Sequence, residues 1–244
     1  MRFITMHKAD ADTEAGVLPS PELMAGMGEL MGKMAQAGVF DGGEGLRASS
    51  LGVRAVYSGG ERTLTRGPFT PGNELPAFIT LVSVVGLDAA LPWADRFARI
   101  LGDVEIDIRP ICEPCHLGFA PAPPPGTPER FMLQVKATAQ SEAGNTTPEQ
   151  VRLLKALHAD MRQAGVFAGA ESIRPSSEGL RINYTNGTQA RVIDGPFTES
   201  KELIAGYCIM RAQDRAEVLE WCGQFARCFP KVEVDIRPLD EPAV

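Results

Sequence analysis

Val104-Glu105-Ile106-Asp107-Ile108-Arg109-Pro110 returns near the end of the chain as Val232-Glu233-Val234-Asp235-Ile236-Arg237-Pro238. Both heptapeptides alternate with the period of a strand. Val104, Ile106 and Ile108 point one way, and Glu105, Asp107 and Arg109 point the other. Such a strand has one apolar face to bury and one charged face to satisfy. Working outward, more of the chain repeats in the same order. Ala37-Gly38-Val39-Phe40 returns as Ala164-Gly165-Val166-Phe167, and Gly67-Pro68-Phe69-Thr70 as Gly195-Pro196-Phe197-Thr198. Trp93 and Phe97 return as Trp221 and Phe225. Gly165 follows Gly38 by 127 residues and Gly195 follows Gly67 by 128, so one residue was gained or lost between them. So many matches in register mark a tandem duplication. The expected division is a first repeat over 1–112, a Pro-rich linker over 113–128 and a second repeat over 129–244. The prolines of the linker favour an extended, semi-rigid spacer.

Each repeat reads as the same series of elements. Apolar strands open at Arg2 to Met6 and at Phe131 to Val135. Ser20-Pro21-Glu22 and the capping-box pattern Thr147-Pro148-Glu149-Gln150 then start helices. One helix carries Met27, Leu30, Met31 and Met34 on one face, and the other carries Val151, Leu154, Leu157, His158 and Met161. Gly38 and Gly165 end them. Gly59-Gly60 and Asn186-Gly187 are hairpin signals. A second helix is expected from Asp88 or Asp214, before the closing heptapeptide strand. The order β-α-β-β-α-β with an extra hairpin is the ferredoxin-like split βαβ arrangement, an α+β fold with both helices on one face of an antiparallel sheet. The other face of each sheet needs a cover, and the sheet of the second copy would serve. The charged row of the heptapeptide would then face the other copy. Charges in an enclosed space must be paired or wet, which points to a polar cavity between the sheets. The competing reading is a solvent-facing strand that encloses nothing.

Composition sets the outer limits. Of 244 residues, 44% are hydrophobic and 23% charged, enough for a core without staples. The net charge of -7 argues against general nucleic-acid binding, since a phosphate backbone needs a basic surface. No apolar run reaches membrane-spanning length. The N-terminal Met-Arg-Phe-Ile-Thr-Met-His-Lys turns polar too soon for a signal peptide. Five cysteines, an odd number, then read as reduced thiols in a cytoplasm.

The segment Asp194-Gly195-Pro196-Phe197-Thr198-Glu199-Ser200-Lys201-Glu202 resembles the signature of DGPF-type proteins in the YCII-related family, D-G-P-F-x-E-x-K-E. Ala164-Gly-Val-Phe, Glu171, Ile204-Ala-Gly-Tyr207 and the closing Val-Glu-Val-Asp-Ile-Arg-Pro238 stand where that family has similar stretches. The resemblance covers nearly all of the second repeat and, more faintly, the first. It implies a dimeric α/β-barrel, two ferredoxin-like units packed sheet to sheet, here within one chain as a pseudo-dimer. Relatives in the broader fold are isomerases, monooxygenases, a dehydrochlorinase and ligand-sensing domains. Many DGPF-type members are encoded near extracytoplasmic-function sigma factors. The resemblance thus implies a bacterial, cytoplasmic protein and fixes the fold better than the function.

The first repeat departs from the signature. Arg66, Pro71 and Asn73 replace Asp194, Glu199 and Lys201, while Gly, Pro, Phe, Thr and the last Glu stay. The turn therefore needs Gly-Pro-Phe and not the titratable groups. One reading makes Asp194, Glu199 and Lys201 a catalytic cluster, with Asp194 accepting a proton, Glu199 a second acid or base and Lys201 binding an anionic group. The other makes Asp194 a turn cap and the rest a solvated surface. His7 and His158 are titratable candidates for ligand binding, with Arg181, Asp235 and Arg237 from the repeated strands. His158 also lies on an apolar stripe, which suits a partly buried helix histidine. Arg54 and Arg181, Arg47 and Arg174, and Glu44 and Glu171 recur in both halves, as structural pairs would, and as a two-sided anionic-ligand site would too. Cys112-Glu-Pro-Cys115-His116 has the haem-attachment spacing, but attachment belongs to exported proteins and a metal needs more ligands. The segment reads as linker with incidental thiols. No Gly-rich phosphate loop or nucleophile elbow is present. The expectation is a small-molecule ligand, no cofactor or metal, no nucleic-acid or membrane partner, and room for a homo-oligomer of the pseudo-dimer. Whether the ligand is turned over by cofactor-free acid–base chemistry (isomerase or lyase type), or the protein is instead a non-catalytic ligand sensor or partner-binding protein linked to a sigma-factor-controlled stress response, the residues leave open.

Overall fold

The computed structural model describes residues 1–70, 72–197 and 200–240. Strands and helices follow in the order β1 (Arg2–Lys8), α1 (Ala11–Glu14), α2 (Pro21–Gln36), β2 (Phe40–Gly45), β3 (Val53–Ser58), β4 (Glu61–Arg66), β5 (Pro76–Val84), α3 (Leu91–Leu101), β6 (Val104–Pro110), β7 (Glu129–Lys136), α4 (Ala139–Glu142), α5 (Pro148–Gln163), β8 (Phe167–Ser172), β9 (Leu180–Thr185), β10 (Gln189–Asp194), β11 (Ile204–Arg211), α6 (Arg215–Ala226) and β12 (Lys231–Pro238). The content is α+β, with two six-stranded antiparallel sheets. Most local signals are where the sequence puts them. Ser20 caps α2 by accepting from the Leu23 N–H, and Thr147 and Gln150 form the capping box of α5. Both hairpins carry positive φ at their two central residues, 58° and 83° at Gly59-Gly60 and 52° and 67° at Asn186-Gly187. Asp214 caps α6. Asp88 instead lies in a 3-10 turn, Leu87–Ala89, and α3 starts after it at Leu91.

The larger difference is in which strands share a sheet. The sequence suggests that each copy folds on itself. In the structure the sheets run β10-β9-β12-β1-β11-β2 and β4-β3-β6-β7-β5-β8. Each sheet therefore takes strands from both copies. Two compact units result, unit 1 from residues 1–45 with 173 onward, and unit 2 from residues 46–172. The opening strand–helix–strand segment of each copy completes the sheet of the other, and the chain crosses over at equivalent places, after Gly45 and after Ser172. Register explains the exchange. β1 lies between β12 and β11, with Ile4 opposite Arg237 and Met6 opposite Asp235, while β7 lies between β6 and β5. The compact units are thus cut differently from the division expected at 1–112 and 129–244.

Within each unit the heptapeptide strand divides its faces as its alternation predicts. In unit 2, Val104, Ile106 and Ile108 join Ala94, Phe97, Leu157 and Met161 in a core under α3 and α5. In unit 1, Val232, Val234 and Ile236 join Leu30, Met34, Val218 and Cys222 under α2 and α6. Asp107, Arg109, Asp235 and Arg237 form the other row and are also buried.

Candidate functional site

The Gly-Pro-Phe segment is built the same way in both units. Gly67 sits against the 3-10 turn Ser49–Leu51, and Gly195 against Ser176–Glu178. A Cβ on Gly67 would lie 1.9 Å from the Ser49 carbonyl oxygen, and one on Gly195 would lie 1.8 Å from that of Ser176. No side chain fits there. The next Phe is buried, and its N–H donates to the same serine's hydroxyl, at 3.0 Å for Phe69 and 3.1 Å for Phe197. A guanidinium covers each ring, Arg54 at 4.7 Å from Phe69 and Arg181 at 4.6 Å from Phe197. The shared residues of the motif therefore hold a turn in place.

The titratable residues of the second-copy motif are placed differently. Asp194 ends β10, an edge strand, and is exposed. Lys201 is exposed beyond the turn. Glu199 lies outside the described residues.

Arg181 and Asp235 do come together, around a residue that the sequence reading passed over. Arg181 donates to both Asp235 oxygens, Nε at 2.6 Å and Nη2 at 3.0 Å. Lys8 Nζ donates to Asp235 Oδ2 and to Ser200 Oγ, each at 2.7 Å. Burial pushes the Asp235 carboxyl up, but Lys8 and Arg181 outweigh it and hold it below the usual aspartate range. Unit 2 has the same cluster at Lys136, Arg54 and Asp107, with Glu74 added. Arg54 bonds Asp107 at 2.7 Å and Glu74 at 3.0 Å, and Lys136 reaches Glu74 and Asp107. The recurrence of lysine at positions 8 and 136 was the available signal. A cluster present twice with its charges mutually paired serves the fold first. Arg237 likewise donates to the Arg174 carbonyl, as Arg109 does to that of Arg47.

The two candidate histidines part company. His158 of α5 packs in unit 2 between Phe97 (5.7 Å) and Phe167 (5.3 Å), with Nε2 3.3 Å from the Thr80 hydroxyl. It is the partly buried helix histidine that its apolar stripe suggests. His7 shares a face of β1 with Phe3 and Thr5, which turn toward the helices, and not with Lys8 and the charged row. It lines a cavity of about 220 Å3 in unit 1 whose walls include Met31, Met34, Phe40, Trp221 and Phe225. Cys208 and Glu44 add polar groups to the wall.

A pair of exchanges between the copies lies beside this cavity. Where unit 2 has Val135 and Phe78, unit 1 has His7 and Gly206. The Phe78 ring packs on Phe97 at 5.5 Å. Gly206 has no side chain, and the His7 ring takes part of the space, with its Cε1 2.7 Å from where a Cβ would be. Burial lowers the His7 pKa to about 4, and burial pushes the Cys208 thiol up to about 12. Both groups are neutral near pH 7. A wider groove of about 360 Å3 in unit 2 runs past Tyr57, Arg62 and Asp95, but these pair with one another, with both Tyr57 Oη and Arg62 Nη1 2.8 Å from Asp95 Oδ1. Among the described residues no group of three His, Cys, Asp or Glu could hold a metal ion.

The neutral His7 has a consequence for stability. The unfolded chain takes up its proton near pH 6.5, and the folded chain only near 4. Its contribution is complete above 6.5 and is lost as pH falls toward 4, on the order of 3 kcal/mol in all. Urea titrations of wild type and His7→Val at pH 7 and pH 5 are expected to show a smaller acid loss in the variant. An equal loss in both would mean that the folded His7 titrates normally.

No helix among the described residues is long and apolar enough to cross a membrane. No curated protein and no solved structure matches the chain. The family comparison gives one result, over the stretch that supplies β7, α5 and β8 to unit 2 and most of β9 to β12 to unit 1: residues 130–233 match the family model of the YCII-related domain, so that this chain carries a YCII-related domain in its second half.

Proposed function

We propose that unit 1 binds a small, uncharged and mostly apolar molecule in the cavity under α2 and α6, with the His7 imidazole as its polar anchor. The observation that carries this is the cavity itself, which the His7 ring lines together with methionines and aromatics of α2 and α6. Benzene fills an apolar cavity of about 150 Å3; one of about 220 Å3 suits a bicyclic ring system. Methionines and aromatics supply an adaptable apolar wall. A neutral imidazole supplies one donor and one acceptor.

Binding without turnover is the better-supported form of this reading. A general acid or base works best with a pKa near the operating pH. His7 at about 4 and Cys208 at about 12 are both far from neutrality. Asp194 is an exposed carboxyl on an edge strand. The reading takes the two copies as a DGPF-type duplication and the protein as a ligand sensor in a bacterial cytoplasm.

Titration calorimetry with 2-naphthol and naphthalene tests it. 2-Naphthol is expected to bind with a Kd on the order of 0.1 mM, as a compact ligand with one hydrogen bond would. His7→Val should weaken 2-naphthol about three- to tenfold and leave naphthalene unchanged. Met31→Trp, on the cavity wall, should weaken both. No binding of either compound, or binding indifferent to Met31→Trp, would remove the cavity as the site.

A further inference from the structure

We propose that Cys112 and Cys115 form a reversible dithiol–disulfide pair in the turn that leads from β6 into the linker. The inference is independent of the cavity. It rests first on a comparison within the chain. Leu239-Asp240-Glu241-Pro242-Ala243 is the second copy of Ile111-Cys112-Glu113-Pro114-Cys115. The Glu-Pro pair is common to both. The only other differences in the stretch are an apolar exchange and the two cysteines. The second copy's sequence does without the thiols, and the two stand together at the spacing of a C-x-x-C pair.

The position of Cys112 is that of an anion in the other copy. Asp240 lies 3.8 Å from Arg174. Arg47 is the counterpart of Arg174, and its charge acts on the Cys112 thiol. Burial is the larger influence and raises the Cys112 pKa, with Arg47 opposing it. The charge of Cys115 also acts on Cys112. A thiolate formed at Cys112 would find the cation that Asp240 has.

The surrounding structure fixes the turn between them. Arg130 of β7 donates to both oxygens of Glu113, at 2.6 Å and 3.0 Å. The Glu113 N–H donates to His116 Nδ1 at 2.9 Å. Cys112 and Cys115 are both partly accessible thiols in this state. Glu113 is extended (φ -85°, ψ 160°), and Cys115 lies in the 3-10 turn Pro114–Leu117 that follows it. A disulfide between partly accessible thiols is of the readily reduced, switchable kind.

The oxidant is a low-molecular-weight disulfide, RSSR. A thiolate of the pair attacks one of its sulfurs, the S–S bond breaks, and one RS⁻ leaves. The second protein thiolate attacks the protein sulfur of the mixed disulfide and releases the second RS⁻. Two protein thiols and RSSR become one protein disulfide and two RSH, and the two protons pass to the leaving thiolates.

The test uses the full chain in glutathione buffers from fully reduced to fully oxidised, followed by acid quench, alkylation and peptide mass mapping. In oxidising buffer three of the five cysteines are expected to remain alkylatable. The peptide with Cys112 and Cys115 should be lighter by two hydrogen atoms, and reduced buffer should restore it. Cys115→Ser should accumulate the glutathione adduct at Cys112, and Cys112→Ser the adduct at Cys115. Cys112→Asp with Cys115→Ala, the second copy's own residues, should abolish the redox-dependent change and leave tryptophan fluorescence as in wild type. Stable glutathione adducts on one or both cysteines of the wild type, or thiols that stay reduced, would each overturn the proposal.

Discussion

Gly195→Ala is expected to destabilise unit 1 by about 3–5 kcal/mol, among the largest effects available to a single methyl group. The added Cβ would sit 1.8 Å from the backbone oxygen of Ser176, and that oxygen belongs to a turn whose serine is fully buried. Nothing flexible can give way. Phe197, its N–H bond to Ser176 and the Arg181 guanidinium over its ring all depend on the same approach. Gly28→Ala is the contrast. A Cβ there meets nothing within 4 Å, and the residue lies in the interior of α2. That change should stabilise by about 0.5–1 kcal/mol. Tryptophan fluorescence separates the units, because Trp221 reports on unit 1 and Trp93 on unit 2. Urea unfolding followed through Trp221 in a Trp93→Phe background is the measurement. An unchanged midpoint for Gly195→Ala would mean that the turn does not approach Ser176 as described.

Lys136→Met should cost unit 2 about 3–5 kcal/mol, the range for removing one partner from a buried ion cluster. The lysine serves Glu74, Asp107 and, at 3.5 Å, Glu105, leaving Arg54 alone to face three carboxyls. Lys8→Met in unit 1 should cost about half as much. Asp235 keeps its two-pronged bond from Arg181, and a hydroxyl, Ser200, stands among the lysine's partners. Acid tests the assignment in unit 1. The folded pKa of Asp235 lies below its ordinary value of about 4, so its contribution is complete above 4 and is lost as pH falls below it. The gap between wild type and Lys8→Met should therefore narrow in acid. A gap that stays constant below pH 4 would show that Lys8 stabilises the unit by packing alone. The same Trp93 and Trp221 probes read both variants.

Much of the local structure was legible because its causes are local. Caps at Ser20, Thr147 and Asp214, positive φ at the two hairpins and the two-residue alternation of the heptapeptides each depend on a few neighbouring residues. The recurring stretches were legible because a recurrence is a property of the string. The Gly-Pro-Phe turn could be separated from the acidic and basic residues around it because one copy keeps the first and loses the second.

The candidate site was less legible. His7 stands out as a titratable residue, but only the fold shows that it faces the helices and not the charged row. Its register partner across β1 and β11 is Gly206, a residue 199 positions away in sequence. Lys8 matters through Asp235 and Ser200, which are equally remote. Pattern within a repeat carries no information about which copy supplies the neighbour.

By itself, then, the sequence determined the α+β content, the faces of the strands and most helix ends, because those follow from backbone sterics and periodicity. Only the tertiary structure decided that the opening segment of each copy completes the sheet of the other, and that His7 lines a cavity in unit 1. Strand partners are chosen among many of similar pattern by long-range register and side-chain volume, and these exist only once the chain is folded.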